Sequence, residues 1–230
     1  MSKGRDYVAE IVSKRSRLLS ETDRFKQLSA RSGFVWESME FLKDLAPDDT
    51  PYKVELLKYL PIGFVACIEG YFRLLYRDLI DHGPPFSDNV SGFKDIKFGV
   101  EQVVAIHSKR TVSLGEFVSH LLPANNLGDI NRNMTTLIGE EFLERLASTR
   151  VALREDFQPS LKEHNLHPEI FQTLRRLFEL RHIFCHELAP TVQIEAREAE
   201  DCANAAMILI ITTEAMCKEL IPTGRAAQAT

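Results

Sequence analysis

One arginine and two histidines stand close together near the C-terminal end of the chain, in the stretch LRHIFCHELAP at residues 180–190. Histidine has an ordinary pKa near ~6.5, so His182 and His186 could accept and return a proton at neutral pH. The planar guanidinium of Arg181 could bind a phosphate and stabilise the negative charge that develops on it. Together these groups suit attack of an RNA 2′-OH on the adjacent phosphorus, a reaction that requires no metal ion.

The residues around this stretch predict a helix from about 168 to 187, with Arg181 on its apolar side. At 100° per residue, seven apolar side chains lie within about 70° of one direction, and Arg181 falls in the middle of that arc. A guanidinium buried there needs a compensating negative charge. Glu69, on another predicted helix, is the candidate acid for a structural arginine, and a phosphate bound in a cleft is the alternative. The seven apolar residues are Phe171, Leu174, Leu177, Phe178, Phe184, Cys185 and Leu188.

The two histidines do not point in the same direction as the arginine on an ideal helix. His182 lies about 100° and His186 about 140° around the axis from Arg181. One regular helix therefore cannot direct Arg181 and His186 at the same group. Either the helix is distorted or ends before His186, or a second copy of the motif supplies the missing group.

The stretch from Arg181 to His186 resembles the R-x(4–6)-H motif of HEPN-domain ribonucleases, including the polar residue that follows the arginine. The upstream stretch IGFVACIEGYFRLLYRDLIDHG, residues 62–83, resembles the early helix of that family. The resemblance covers about 54–220, interrupted by a long irregular middle, and residues 1–50 match no part of the family.

The resemblance implies an up-and-down helical bundle that dimerises, so that two motifs form one metal-independent endoribonuclease site. It implies catalytic roles for Arg181, His186 and His182, with Glu69 as a supporting residue. The substrate would be RNA, no cofactor would be needed, and the setting would be toxin–antitoxin or antiviral defence, with an antitoxin or sensor protein as a further partner.

Other interpretations of the same residues stay open. A catalytically inactive HEPN-like interaction module would keep Arg181 as a structural ion-pair residue. A zinc site could use His182 and His186, which share a helix face, with Cys185 nearby, but a third ligand is missing and the H-E-x-x-H order is absent. Cys185 lies on the apolar arc, so we expect it to be buried and unable to act as a nucleophile.

Positive charge is concentrated at the N-terminus of a chain whose net charge is −5. Residues 1–31 contain eight Lys and Arg and four acids. Such an excess is typical either of a solvated helix face or of a segment that attracts phosphate. Lys14, Arg15 and Arg17 are therefore candidate RNA contacts, as are Arg175 and Arg176 beside the motif.

Apolar residues recur at spacings of three and four along most of the chain, which predicts an all-α protein, most simply a helical bundle. Residues 1–50 form an N-terminal helical extension that ends at the loop APDDTP, and 51–222 form the HEPN-like bundle. Within it, 86–165 is an irregular insertion, and 223–230 is a disordered tail. Helices are predicted over 5–29, 34–45, 52–60, 61–81, 95–107, 113–122, 138–150, 168–187 and 195–220, and PANNLGDINRN at 123–133 is predicted to be a loop.

Two local patterns predict particular interactions. Ser113-Leu-Gly-Glu116 has the spacing of a capping box that begins a helix. Glu69, Arg73 and Arg77 follow one another at four-residue spacing, which predicts a surface row of ion pairs along the helix that holds them.

The cysteines and the apolar runs indicate a reduced, non-membrane environment. Four cysteines stand singly in apolar helical patterns, without the pairs that zinc sites or small disulfide frameworks require. The longest uninterrupted apolar run, 205–211, is far shorter than the ~20 residues that cross a bilayer. We therefore expect a soluble cytoplasmic protein.

Overall fold

The structure is a computed structural model that describes residues 5–18, 23–45, 50–109, 111–149, 168–187 and 190–221. It is all-α, as the sequence predicts, and none of these residues lies in a β-strand. The α-helices are α1 (Tyr7–Arg15), α2 (Arg24–Leu45), α3 (Pro51–Leu57), α4 (Tyr59–His82), α5 (Phe86–Asn89), α6 (Val100–Val103), α7 (Leu114–Leu121), α8 (Leu127–Ile138), α9 (Phe142–Ser148), α10 (Pro168–His186) and α11 (Ala196–Leu220).

Helix α4 lies at the centre of the bundle and packs against α2, α3, α5, α7, α8, α10 and α11. Its sequence places apolar residues on most of its circumference, so neighbouring helices can cover it from several sides. The apolar face that three- and four-residue spacing predicts for this helix has seven residues, and all of them are buried, with Ile68, Phe72 and Leu75 fully excluded from solvent. The other four residues of that face are Phe64, Val65, Tyr76 and Leu79.

The helices around α4 share one apolar core with it. Leu28 and Met39 of α2, Leu137 of α8 and Leu146 of α9 belong to the same cluster of buried side chains as α4, α10 and α11. Helix α2 therefore contributes to the core of the bundle, although it precedes residue 50. No helix in the described part of the chain combines the length and the apolar character needed to cross a bilayer.

Helix α1 packs against α7 through a second, smaller apolar cluster. Ile11 and Phe117 are buried there together, and a carboxylate adds a polar contact: Glu10 accepts a hydrogen bond of 2.8 Å from Arg5 and lies 3.0 Å from Nε2 of His120. The bond from Arg5 is the main reason why the pKa of Glu10 falls to about 2. Burial lowers the pKa of His120, although the bond to Glu10 opposes that shift.

Several boundaries predicted from the sequence are wrong. The predicted loop 123–133 contains the first half of α8, because the side chain of Asn126 accepts a hydrogen bond of 2.8 Å from the amide of Asp129 and so begins a helix there. The helix predicted over 138–150 is the shorter α9, since Gly139 adopts a left-handed conformation that ends α8. The single helix predicted over 5–29 is divided between α1 and α2.

The segment 86–149 is more regular than the predicted insertion, because α7, α8 and α9 pack into the bundle. The rest of that predicted insertion up to residue 165 lies outside the described residues, as do most of the loop APDDTP and the tail 223–230.

The predicted capping box at the start of α7 is confirmed, and it also attaches α7 to α4. Ser113 Oγ accepts a bond of 3.0 Å from the amide of Glu116, and the Glu116 side chain accepts one of 2.8 Å from the amide of Ser113. Asp81, near the end of α4, accepts bonds from Ser113 Oγ at 2.6 Å and from the amide of Gly115 at 2.8 Å. A side chain at Gly115 would collide with the α4 backbone at Arg77, so glycine permits this close approach.

We expect Ser113→Ala to lower the free energy of unfolding by about 1 kcal/mol, because the hydroxyl caps α7 and bonds to Asp81. The measurement is urea denaturation followed by circular dichroism. Ser38→Ala is the matched control, since that exposed hydroxyl bonds to the carbonyl of Phe34 one turn earlier in its own helix. It should change stability by less than about 0.5 kcal/mol. Equal effects of the two substitutions would contradict a special role for the cap.

Candidate functional site

Helix α10 carries the Arg-His motif and remains helical through His186. Leu174, Leu177 and Leu180 are fully buried and fix the helix against α4 and α11. The predicted alternative in which the helix ends before His186 is therefore wrong. Arg181 and His186 of one chain consequently point in directions about 140° apart around the helix axis.

Arg181 is half-buried and bound to an acid on the central helix. Its Nη2 atom donates a hydrogen bond of 3.2 Å to Oε1 of Glu69, and the two side chains are 26% and 21% exposed. The acid that the sequence suggested as a partner for Arg181 is thus in contact with it. A guanidinium has five N–H groups, and within the described residues Arg181 makes no other hydrogen bond. Its remaining donors are free to bind an anion.

Both histidines of the motif lie at the surface. The His182 side chain is 65% exposed, and its ring centroid lies 5.2 Å from that of His186, with the planes tilted by 47°. His182 Nε2 is 4.0 Å from Oε1 of Glu187, a distance too long for a hydrogen bond. The two rings therefore form an exposed pair at the C-terminal end of α10, accessible to solvent and to other molecules.

The expectation that Cys185 is buried is wrong. Cys185 is exposed, whereas Cys67, Cys202 and Cys217 are buried as predicted. Phe184 beside it is only partly buried. The apolar arc of α10 is therefore only partly covered in its last turn, where Phe184 still packs against the main core. Burial raises the pKa of the Cys202 and Cys217 thiols to about 12, so those two are unreactive.

Arg181 and His182 line an open cleft of about 710 Å³ between α10 and the start of α8, which we call the motif cleft. Two arginines, a histidine, three asparagines and one acid, Glu179, supply its polar groups, whereas His186 is not part of its wall. Its lining residues are Asn125, Asn126, Leu127, Gly128, Asn131, Leu143, Arg175, Phe178, Glu179, Arg181 and His182.

The N-terminal end of α8 opens into the motif cleft opposite α10. The first amides of a helix have no acceptor within the helix, and the helix dipole makes that end positive. Asn126 satisfies the amide of Asp129, and Leu127 and Gly128 line the cleft at this end. Arg175 and Arg181 on α10 and the first amides of α8 therefore place positive charge on both sides of the cleft, beside one lining acid, Glu179.

The five basic residues predicted to contact RNA have different surroundings. Arg175 is exposed and lines the motif cleft, but Arg176 is bound to Glu198 at 2.9 Å and to Glu179 at 3.0 Å. Lys14, Arg15 and Arg17 lie on or just after α1, which does not border the motif cleft. Arg15 is bound to Glu116 at 2.5 Å. Their RNA contacts stay predictions.

The contribution of α8 to the motif cleft is not among the sequence predictions. The signal for it was present: Asn126 followed three residues later by Asp129 is a typical helix start, with an acid in the first turn. The stretch PANNLGDINRN is rich in Asn and contains Gly. Because these residues are common in loops, the sequence predicted a loop there.

The geometry does not favour the zinc alternative. Among the described residues, no group of three or more His, Cys, Asp or Glu side chains is placed to hold a metal ion. His182 and His186 face each other at ring-contact distance with Glu187 outside hydrogen-bonding range.

The Glu69–Arg181 pair can be tested by a double-mutant cycle with Glu69→Gln, Arg181→Gln and the double variant. Because both side chains are about a quarter exposed, we expect a coupling free energy of about 1 kcal/mol or less, reduced by added salt. The measurement is urea denaturation at low and high ionic strength. Strict additivity of the two substitutions at low salt would mean that the pair contributes nothing to stability.

Comparison of the chain with protein-family models, with curated proteins and with solved structures finds no match in any of the three.

Proposed function

We propose that the protein is a metal-independent endoribonuclease of HEPN type, acting through Arg181, His186 and His182 and serving as a toxin or antiviral effector. The observation that supports this most is the state of Arg181: it is held by Glu69 through one N–H group and lines an open cleft together with a second arginine, Arg175. That is the geometry needed to bind and stabilise a phosphate whose charge increases during reaction.

In the proposed reaction, a neutral histidine removes the proton of an RNA 2′-OH as the oxygen attacks the adjacent phosphorus. The bond from phosphorus to the 5′-oxygen breaks, and a protonated histidine donates a proton to that leaving oxygen. The products are a 2′,3′-cyclic phosphate and a 5′-hydroxyl. Arg181 stabilises the pentacoordinate phosphorane, and the exposed pair His182 and His186 supplies the proton-transfer groups.

The angle between Arg181 and His186 requires a second subunit in this proposal. Since α10 stays helical through His186, the two side chains of one copy diverge. In a two-fold symmetric dimer, His186 of one subunit could face Arg181 of the other across the axis. Both histidines are exposed at one end of the helix, which leaves them accessible to such a partner.

A helical module that binds a partner protein without catalysis is the second candidate, and two observations favour it. Arg181 has the acidic partner that a purely structural arginine requires. Helix α2 also exposes Phe34 by 71% and Phe41 by 65%, seven residues apart on one face, which would suit a protein contact. An assay of RNA cleavage separates the two candidates.

We expect the purified protein to cleave total RNA in the presence of EDTA and to leave 2′,3′-cyclic phosphate ends. Arg181→Ala and His186→Ala should each lower the rate by at least ~100-fold, the usual effect of losing a charge-stabilising or acid–base group. The measurement is the initial rate of cleavage of an end-labelled RNA, with end groups identified by mass spectrometry.

The matched controls are Arg197→Ala and His107→Ala, which remove an exposed arginine and an exposed histidine outside the motif cleft and should keep full activity. Three results would each contradict the proposal: activity that EDTA abolishes and zinc or magnesium restores, equal cleavage of a substrate that lacks the 2′-OH at the cleaved nucleotide, or full activity of His186→Ala.

We also expect the active species to be a dimer whose site combines residues of both subunits. Arg181→Ala and His186→Ala, each inactive alone, should regain partial activity when they are unfolded together and refolded. Random pairing gives about half mixed dimers, and each mixed dimer has one intact Arg–His combination, so recovery should stay at or below about half of wild type. Sedimentation analysis at the assay concentration gives the oligomeric state. A fully active monomer would rule out the shared site.

A further inference from the structure

A second cleft of about 650 Å³ lies between α1, α2, α4 and α7, and we call it the basic cleft. It shares no lining residue with the motif cleft. Seven of its lining residues are Lys or Arg and one is an acid, in a protein whose net charge is −5. The cations are Lys14, Arg15, Arg17, Arg24, Arg31, Arg73 and Arg77.

Three of the seven cations are neutralised by acids of the bundle. Arg15 binds Glu116, the one acidic residue of the lining, and Arg24 binds Glu214 at 2.6 Å and Asp78 at 2.9 Å. Arg77 is 2.6 Å from the other oxygen of Asp78. These pairs have structural roles and leave the remaining four cations to be explained.

The other four cations, Lys14, Arg17, Arg31 and Arg73, have no acidic partner among the described residues. Lys14 Nζ instead lies 3.2 Å from Nδ1 of His120. Burial and, after it, the nearby charge of Arg73 lower the pKa of Lys14. The row of ion pairs predicted from Glu69, Arg73 and Arg77 is wrong, because each of these residues has different surroundings.

Among these four cations, Arg73 has the least favourable surroundings. Its Nε atom is buried, and no hydrogen-bond acceptor lies within reach of it in the described part of the chain. A buried donor of this kind is unfavourable unless an acceptor reaches it. An anion bound in the cleft could contact the accessible end of the Arg73 side chain and would neutralise the cluster.

Apolar residues also line the basic cleft, beside Gln27, Ser119 and His120, and the cleft is wide enough for a ring system. Leu18, Leu28, Phe34 and Leu74 line it, with Phe34 largely exposed. Gly70 of α4 borders the cleft, and a Cβ atom added there would meet nothing within 4 Å. The volume lies in the range of small-molecule pockets, roughly 300–1,000 Å³. An exposed aromatic ring beside a cationic cluster suits a nucleobase linked to phosphates.

We propose that the basic cleft binds a nucleoside polyphosphate, with its phosphates on Lys14, Arg17, Arg31 and Arg73 and its base against Phe34. Four cations without acidic partners match the charge of a di- or triphosphate. This site is separate from the motif cleft, and its occupancy does not depend on whether the protein cleaves RNA.

The test is isothermal titration calorimetry of the full chain with ADP, GDP and UDP, in a phosphate-free buffer at physiological ionic strength. We expect at least one of the three to bind with a micromolar dissociation constant, and inorganic pyrophosphate to bind at least ten-fold more weakly because it lacks a base. Arg73→Gln should weaken binding of that nucleotide at least ten-fold by removing one cation.

Gly70→Leu tests the same site by shape, since its side chain fills the space beside α4 without changing any charge. It should weaken nucleotide binding at least ten-fold while the helix tolerates the substitution. Arg197→Gln is the matched control: it removes an exposed arginine outside the cleft and should bind as the wild type does. Melting temperatures of all variants establish that they are folded.

Two results would overturn the proposal. The first is absence of binding by all three nucleotides at millimolar concentration, or binding that neither Arg73→Gln nor Gly70→Leu weakens. The second is micromolar binding of a uridine decamer that depends on Arg73, with no binding of the nucleotides, because the cleft would then hold a polynucleotide strand. RNA cleavage is not a readout in either case, so this result and the ribonuclease result are independent.

Discussion

The burial of α4 is the constraint on which the rest of the structure depends. Helices on several sides cover it, so the acids of α4 have limited access to water and pair with groups of the surrounding helices. Glu69 binds Arg181 of α10, and Asp78 binds Arg24 of α2. Asp81 accepts two bonds from the start of α7. The polar contacts of α4 therefore orient the helices that its apolar face holds together.

Both clefts arise from the same helix, and they differ in how its charges are balanced. Glu69 and Arg73 are one turn apart on α4. Glu69 of α4 accepts one hydrogen bond from Arg181 of α10, and the remaining donors of Arg181 lie at the motif cleft. At Arg73 the helix contributes a cation among other cations, and no acid of the described bundle approaches its buried Nε atom. The first arrangement suits a reacting phosphodiester, and the second suits a ligand that brings its own negative charge.

Strong periodic patterns in the sequence predict the helices correctly, whereas a single local capping signal is not enough to predict one. The seven apolar residues of α4 and the span of α10 follow from periodicity alone, because long amphipathic helices bury the same face in any bundle. The capping box of α7 was also recognised, since its hydrogen bonds are local. The start of α8 was missed because Gly and Asn are common in loops, and a single capping side chain decided the outcome.

By itself, the sequence determined the helical class, the buried face of α4 and the presence of Arg181 on the apolar side of a helix. It also indicated Glu69 as the acid for Arg181, since burying a guanidinium requires a negative charge. Only the tertiary structure decided that Cys185 is exposed, that His182 shares a cleft with Arg181 while His186 does not, and that the buried Nε atom of Arg73 meets no acceptor among the described residues. Each of these outcomes depends on which helices pack over the residue concerned. Periodicity fixes where a side chain points around its own helix, but the exposure and the charge balance of that side chain depend on residues distant in the chain.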